Sequence, residues 1–199
     1  MREIVLASAN AGKLRELQHA LAPLALALRP LSDFSATQAE EDGDSFAANA
    51  LIKARHASAC SGLPALADDS GLAVAALQGA PGVYSARYAG PQASDADNNA
   101  KLLAALQGRR DRRAAFHCTL ALVRSADDAQ PLLVEGRWDG EILEAPRGDG
   151  GFGYDPLFLD PELGRSAAEL SREEKRARSH RGRAVAALIE TLANAPGAR

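Results

Sequence analysis

Cysteine occurs only twice, at Cys60 and Cys118, and methionine and tryptophan once each. Two thiols far apart in sequence, without close Cys or His spacing around them, give no sign of a zinc site. The expectation is two buried free thiols in a reducing cytoplasm. No apolar run approaches the length of a membrane span, and the first residues lack the basic and apolar regions of a secretory signal, so neither insertion nor export is indicated. An excess of positive charge is missing too. With a formal net charge of -3 and a pI near 5.8, the chain has no general attraction for nucleic acid or an anionic membrane. Any anionic ligand must therefore be held by a local basic cluster.

What is present is an ordinary globular composition, 46% hydrophobic and 25% charged over 199 residues, enough for one good core in one or two lobes around a single cleft. The most informative stretch is Ser8-Ala9-Asn10-Ala11-Gly12-Lys13. It joins the apolar run Ile4-Val5-Leu6-Ala7 to an amphipathic run carrying Leu14, Leu17 and Leu21, a strand turning into a helix. The first N–H groups of such a helix lack intrahelical partners and carry the positive end of the dipole, so an anion fits there and Lys13 adds a cation. Ser8 and Asn10 suit either phosphate oxygens or the helix cap, and Gly12 allows close backbone approach. The spacing is not that of a Walker A loop. An ordinary cap with a surface lysine is the structural alternative.

Leu24 to Leu28 reads as a short strand or helix end stopped by Arg29-Pro30. Four acids between Glu40 and Asp44 precede a helical pattern of Phe46, Ala50, Leu51, Ala54 and Ala57, capped by Asp44 or Ser45; acids there ordinarily serve the helix dipole. Ala65-Leu66-Ala67 predicts a short strand ending in Asp68-Asp69-Ser70-Gly71. A turn-rich loop, Gly79 to Gly90, leads to a helix from Ser94 or Asp95 to a C′ glycine at Gly108. Ala115–Val123 and Leu132–Leu143 read as hairpin strands, and Gly148 to Pro156 as a second glycine loop. Ser171-Arg172-Glu173-Glu174 is a capping box, followed by a kink near Ser179 to Gly182 and a last helix with Val185, Leu188, Ile189 and Leu192.

Three constellations carry chemistry. Asp68 and Asp69, at the end of a strand, repel one another unless a divalent cation relieves them; oxygen ligands of this kind suit Mg2+, with Glu40 and Glu41 completing the shell. Strand-end capping is the plainer alternative. Phe152-Gly153-Tyr154-Asp155 offers aromatic faces for stacking a nucleobase and a carboxylate for its edge, although aromatics beside glycines also serve simply as turn packing. Lys175 and Ser179-His180-Arg181 bring donors to one helix kink, where Arg172, Arg176 and Arg178 equally suggest a solvated face.

In this order the segments Ser8-x-Asn10-x-x-Lys13, Glu40-Glu41 ahead of Phe46 and Asn49, Ala67-Asp68-Asp69-Ser70-Gly71-Leu72, Gly79 to Arg87, Gly151 to Pro156 and Ser179 to Gly182 resemble the non-canonical purine nucleoside triphosphate pyrophosphatases, the inosine/xanthosine triphosphate pyrophosphatase family. The resemblance covers nearly the whole chain. It implies one α/β domain over residues 1–199, an elongated two-lobed fold with a mixed twisted sheet and a central substrate cleft, working as a cytoplasmic homodimer. It further implies Mg2+-dependent hydrolysis of ITP, dITP and XTP to the monophosphate and pyrophosphate, which cleanses the nucleotide pool. By position, Ser8 to Lys13 would grip phosphate and Glu40 or Glu41 would hold metal with Asp69. Asp69 would also be the catalytic acid–base group, supported by Asp68. Ser70, Phe152 to Asp155, Lys175, His180 and Arg181 would contact substrate. The donor chemistry of His180 and Arg181, with the Phe152 loop, gives a further expectation, that they select the base through its 6-oxo acceptor. A pyrophosphatase acting on dTTP-like or modified pyrimidine nucleotides and a nucleotide-binding module without turnover are the competing readings.

Overall fold

The computed structural model of the protein, which describes residues 3–8, 10–22 and 26–194, is an α/β structure built on one mixed, twisted open sheet of seven strands. In chain order the elements are β1 (Glu3–Ala7), α1 (Ala11–Leu21), β2 (Ala27–Pro30), α2 (Phe46–Ser61), β3 (Ala65–Val74) and α3 (Asp95–Ala105). They continue with β4 (Arg113–Val123), β5 (Leu132–Ile142), β6 (Phe158–Asp160), β7 (Arg165–Ser166), α4 (Arg172–Arg178) and α5 (His180–Asn194). The strand order is β2-β1-β3-β4-β5-β6-β7. β1 runs parallel to β2 and β3, whereas β6 is antiparallel to both β5 and β7. The chain forms two compact units, one of Met1–Asp69, Cys118–Gly136 and Arg181–Arg199, the other of Ser70–His117 and Arg137–His180.

In the first unit the period-two alternation of the strands sorts side chains onto two faces. Ile4, Leu6, Leu66, Cys118, Leu120 and Leu122 pack with Leu17 and Leu21 of α1 and Val185 and Leu188 of α5. Val5, Ala7, Ala65, Ala67, Ala121 and Val123 pack instead with Ala50, Ala54 and Ala57 of α2. The small residues of α2 let that helix approach the strands closely. β1 and β3 are thus fixed between two apolar layers, with α1 on one side and α2 on the other, which determines where the acids that follow Ala67 must point.

In the second unit Phe116, Trp138 and Phe158 form an aromatic cluster with Tyr154, Leu72, Leu102 and Leu157. The rings of Phe116 and Phe158 lie 4.5 Å apart and those of Trp138 and Phe158 4.8 Å apart, in the tilted arrangements aromatic quadrupoles favour. Trp138 Nε1 donates to Asp160 Oδ2 at 3.1 Å, which satisfies an otherwise buried donor.

Several sequence expectations need correction. β3 does not end at Ala67 but continues through Asp68, Asp69 and Gly71 to Val74. Residues that ordinarily break strands are tolerated because both carboxylates find cationic partners inside the protein. Arg29-Pro30 does not stop β2 but belongs to it; β2 is an edge strand, where proline's missing N–H costs nothing. Of the stretch from Leu24 to Leu28, Leu24 lies outside the described residues. Ser45, not Asp44, caps α2 by accepting from Ala48 N. α3 ends at Ala105, short of Gly108, and begins with the capping box of Ser94 and Asp97. Ser179, in extended conformation, separates α4 from α5, so the kink is a full break. Cys118 is buried as expected, but Cys60 is exposed near the end of α2.

Candidate active site

The turn from β1 into α1 is a helix cap. The Asn10 side chain accepts from Gly12 N at 2.9 Å and Lys13 N at 3.1 Å, and Ser8 Oγ accepts from Asn10 N at 3.2 Å. Two of the helix N–H groups expected to meet an anion are therefore held by Asn10 itself. Ala11 opens the helix, and Ala9 lies outside the described residues. Lys13, however, is no surface lysine. Its Nζ lies 2.6 Å from Asp68 Oδ1.

Asp68 and Asp69 are adjacent in β3, and the pleat sends them to opposite faces. Asp68 falls on the face of Leu66, where it meets Lys13, Arg181 Nε at 3.0 Å and the Cys118 thiol, which donates to Oδ2 at 3.1 Å. Arg181 Nη1 is in turn bound by Glu16 of α1. Burial pushes the Asp68 carboxyl up, but Arg181 and Lys13 outweigh it and hold the group well below the usual carboxylate range. Burial and the facing Asp68 charge push the Cys118 thiol well up, so it stays a neutral donor. Asp69 falls on the face of Ala67 and meets Lys53 of α2, whose Nζ lies 2.6 Å from Asp69 Oδ1 and 3.3 Å from Glu41 Oε2. Burial raises the Asp69 carboxyl despite the pull of Lys53, and Glu41 adds to the rise. For Lys53 burial is outweighed by Asp69, and its ammonium is held above the ordinary lysine range. The repulsion expected between Asp68 and Asp69 is thus eased by geometry, since each acid faces its own lysine on its own side of the strand.

Asp69 Oδ2 is buried and has no hydrogen-bond partner among the described residues. An unpaired carboxylate oxygen beside a carboxylate bridged through a lysine is a donor set that fits a hard divalent cation. Glu41 belongs to this set; Glu40 is exposed. Among the described residues no cluster of three or more His, Cys, Asp or Glu side chains is preassembled for a metal.

The second unit holds the other expected residues. Asp155 Oδ2 accepts from Phe152 N at 2.8 Å and from Lys175 Nζ at 2.6 Å, and that ammonium also lies over the Phe152 ring, 4.9 Å from its centroid. The loop requires glycine at position 151, where φ is +76° and a Cβ would stand 2.0 Å from Asp155 Oδ2. Tyr154 is not a free aromatic face. Its ring belongs to the core and its hydroxyl donates to Ser85 O at 2.8 Å. The buried His180 ring stacks on Phe116 with centroids 4.7 Å apart and planes 14° apart. Ser70 is half-buried in β3. Arg178 is no solvated arginine, since it donates to buried Asp160 through Nε at 2.8 Å and also binds Glu162. Lys13, Asp68, Asp69 and Arg181 are thus gathered in the first unit, and Phe152, Asp155, Lys175 and His180 in the second.

Residues 4–191 match the model of the Ham1 family. The chain belongs to the Ham1 family. It is 59% identical to the dITP/XTP pyrophosphatase of Ralstonia nicotianae, with 96% of this chain and 97% of that protein covered. It is 55% identical to the dITP/XTP pyrophosphatase of Nitrosomonas europaea, over 96% of this chain and 95% of the relative. Among solved structures, a HAM1 protein from Coxiella burnetii superposes with a TM-score of 0.92 at 52% identity, covering 98% of this chain and all of the other. The Ham1 protein of Staphylococcus aureus gives a TM-score of 0.87 at 39% identity, with 96% and 98% covered.

In this Ham1 chain sequence reasoning missed Lys53, Glu16, Cys118 and Phe116. For Lys53 a signal existed. It lies one turn from Asn49 and borders the buried alanine stripe of α2, so it stands beside the strand face that Asp69 shares with Ala67. For Glu16 and Cys118 no local signal marks them; their roles arise from pairings across long stretches of chain.

Proposed function

We propose that the protein hydrolyses deaminated purine nucleoside triphosphates, ITP, dITP and XTP, to the nucleoside monophosphate and pyrophosphate, and so cleanses the nucleotide pool. The observation that carries this reading is Asp69, a buried carboxylate with one oxygen on Lys53 and the other without a protein partner. Relatives matching the chain nearly end to end, named dITP/XTP pyrophosphatases, supply the substrate class.

Water attacks the α-phosphorus, a new P–O bond forms there, the bridging bond to the β-phosphate breaks, and pyrophosphate leaves. Asp69 orients the water and takes its proton at Oδ2, a task favoured by a carboxyl whose proton affinity burial has raised. Lys53 holds Asp69 by the other oxygen, which fixes the direction of the free one. Lys13 and Arg181, anchored by Asp68, present positive charge to the phosphates, and the charge that grows on the phosphoryl oxygens strengthens those contacts. Asp69 and Glu41, with Glu40 adjacent, would hold Mg2+, which when bound would polarise phosphoryl oxygens and offset their charge.

In the second unit Phe152 offers a face for the base, and Lys175 and His180 supply donors suited to a 6-oxo acceptor. Adenine's amino group would leave such donors unpaired. Arg181, pinned by Asp68 and Glu16, fits the phosphate end better than the base end. The reading includes a substrate cleft in an elongated two-lobed domain and a homodimer working in the cytoplasm on nucleotides alone. The net charge of -3 supports the lack of a nucleic-acid partner. Among the described residues no helix is long and apolar enough to cross a membrane.

The test is a turnover panel of ITP, XTP, dITP, GTP, ATP and dTTP with Mg2+, reading pyrophosphate and orthophosphate separately. Pyrophosphate release fastest from the first three is expected. Preference for dTTP would favour a pyrimidine pyrophosphatase, and tight binding without turnover a nucleotide-binding module; either outcome overturns the proposal.

A further inference from the structure

Helix α3 reaches one residue of the aromatic loop from both sides. Asp95 Oδ2 accepts from Gly153 N at 2.7 Å, and one turn later Asn99 Nδ2 donates to Gly153 O at 2.9 Å. Residues four apart share a helix face, so one rigid surface holds both polar groups of the glycine between Phe152 and Tyr154. The arrangement carries a cost. Asn99 Oδ1 is buried without a hydrogen-bond partner among the described residues, and the donation from Nδ2 prevents the amide from turning over to satisfy it. A side chain that leaves a buried acceptor unmet in order to fix one loop carbonyl calls for a reason beyond helix stability. α3 already has its own cap in Ser94 and Asp97.

We infer that Asp95 and Asn99 are positioning residues for base selection, a clasp that sets the plane of the Phe152 ring. The inference rests on the proposed use of Phe152 as the base platform. On the far side the loop is tied by Asp155, which accepts from Phe152 N, and by Tyr154, whose hydroxyl bonds Ser85 O. Gly153, between them, has φ +62° and no neighbour where a Cβ would stand; its N–H and C=O are held by the two α3 side chains, while the carbonyl of Phe152 on the preceding peptide accepts from Asp155 N at 3.3 Å. Freed of the clasp, the loop keeps its Asp155 and Tyr154 anchors and the protein stays folded, but the ring orientation that distinguishes bases is no longer unique.

The test compares Asp95→Ala, Asp95→Asn, Asn99→Ala and the double variant Asp95→Ala/Asn99→Ala with Phe152→Ala, using dITP and dATP. Loss of two hydrogen bonds predicts that the double variant raises KM for dITP about tenfold, leaves kcat within about twofold, and compresses the dITP/dATP ratio of kcat/KM about tenfold. Asp95→Asn keeps an acceptor for Gly153 N and should behave as the parent, whereas a role in the helix dipole alone would make Asn and Ala equivalent. Equal behaviour of Asp95→Asn and Asp95→Ala overturns the clasp. So does an unchanged base ratio in the double variant when Phe152→Ala compresses it, which leaves the base platform standing. If Phe152→Ala itself leaves the ratio unchanged, the platform reading fails and the clasp with it. Should the double variant not fold, the two Asp95 variants decide the question alone.

Discussion

Lys53 Nζ stands 2.6 Å from Asp69 Oδ1, and this contact orients the carboxylate while its other oxygen stays without a protein partner. The pair sits on the α2 face of β3, one residue from a second acid that meets a different lysine on the opposite face. Replacing Lys53 by methionine keeps the stem and deletes the charge. Since the ammonium pulls the Asp69 carboxyl down against burial, its loss lets that carboxyl rise further. The acid limb of the kcat/KM profile should then move to higher pH, with kcat lowered by more than about tenfold. A pH–rate profile of the purified variant checks both, and an unmoved limb would separate Lys53 from the acid.

Asp68 and Asp69 should fail in different ways. Asp68→Asn leaves Arg181 and Lys13 facing a neutral amide in a buried site, and breaking such a network costs about 3–5 kcal/mol of stability. Asp69→Asn removes the base and part of the metal charge with little change of volume. Turnover should fall more than about a hundredfold while nucleotide binding and the melting temperature stay near those of the parent. Denaturant titration beside steady-state kinetics distinguishes the two, and a stable but inactive Asp68→Asn would place Asp68 in the chemistry itself.

Much of this arrangement was legible in the sequence. Ile4 and Leu6 against Val5 and Ala7 already display the two faces of the sheet, and the same parity carried through Leu66 and Ala67 assigns Asp68 to one and Asp69 to the other. What misled was the local chemistry of Asp-Asp-Ser-Gly, which favours a turn. Here buried ion pairs with residues distant in sequence override that preference, and no local pattern announces Arg181 or Cys118 as partners of Asp68. The cap at Asn10, the capping box at Ser171 and the apolar stripe of α5 were legible because each depends on neighbours within four residues. Tyr154 illustrates the opposite case: its glycine-rich setting suggested a ligand platform, but the hydroxyl finds Ser85 O and the ring joins the core.

The capping box of α4 predicts an acid-sensitive helix. Hydrogen bonds from Arg165 and from Ser171 N lower the Glu174 carboxyl to about 2 from an ordinary value of 4.5. A carboxyl depressed in the folded state contributes stability that is present above its unfolded pKa and is lost as pH falls through the folded one. The window is therefore from about 4.5 down to about 2. Protection of the α4 amides, taken relative to their intrinsic exchange at each pH, should fall across that window, and Glu174→Gln should flatten the dependence. An equally steep acid response in the variant would assign the sensitivity to another group.

The most direct measurement follows the oxygen of the attacking water. Hydrolysis of dITP with Mg2+ in 18O-labelled water, resolved by mass spectrometry of both products, is predicted to place one 18O in dIMP and none in pyrophosphate, because attack occurs at the α-phosphorus. Label in the pyrophosphate, or release of labelled orthophosphate, would place the attack at the β- or γ-phosphorus and contradict the account.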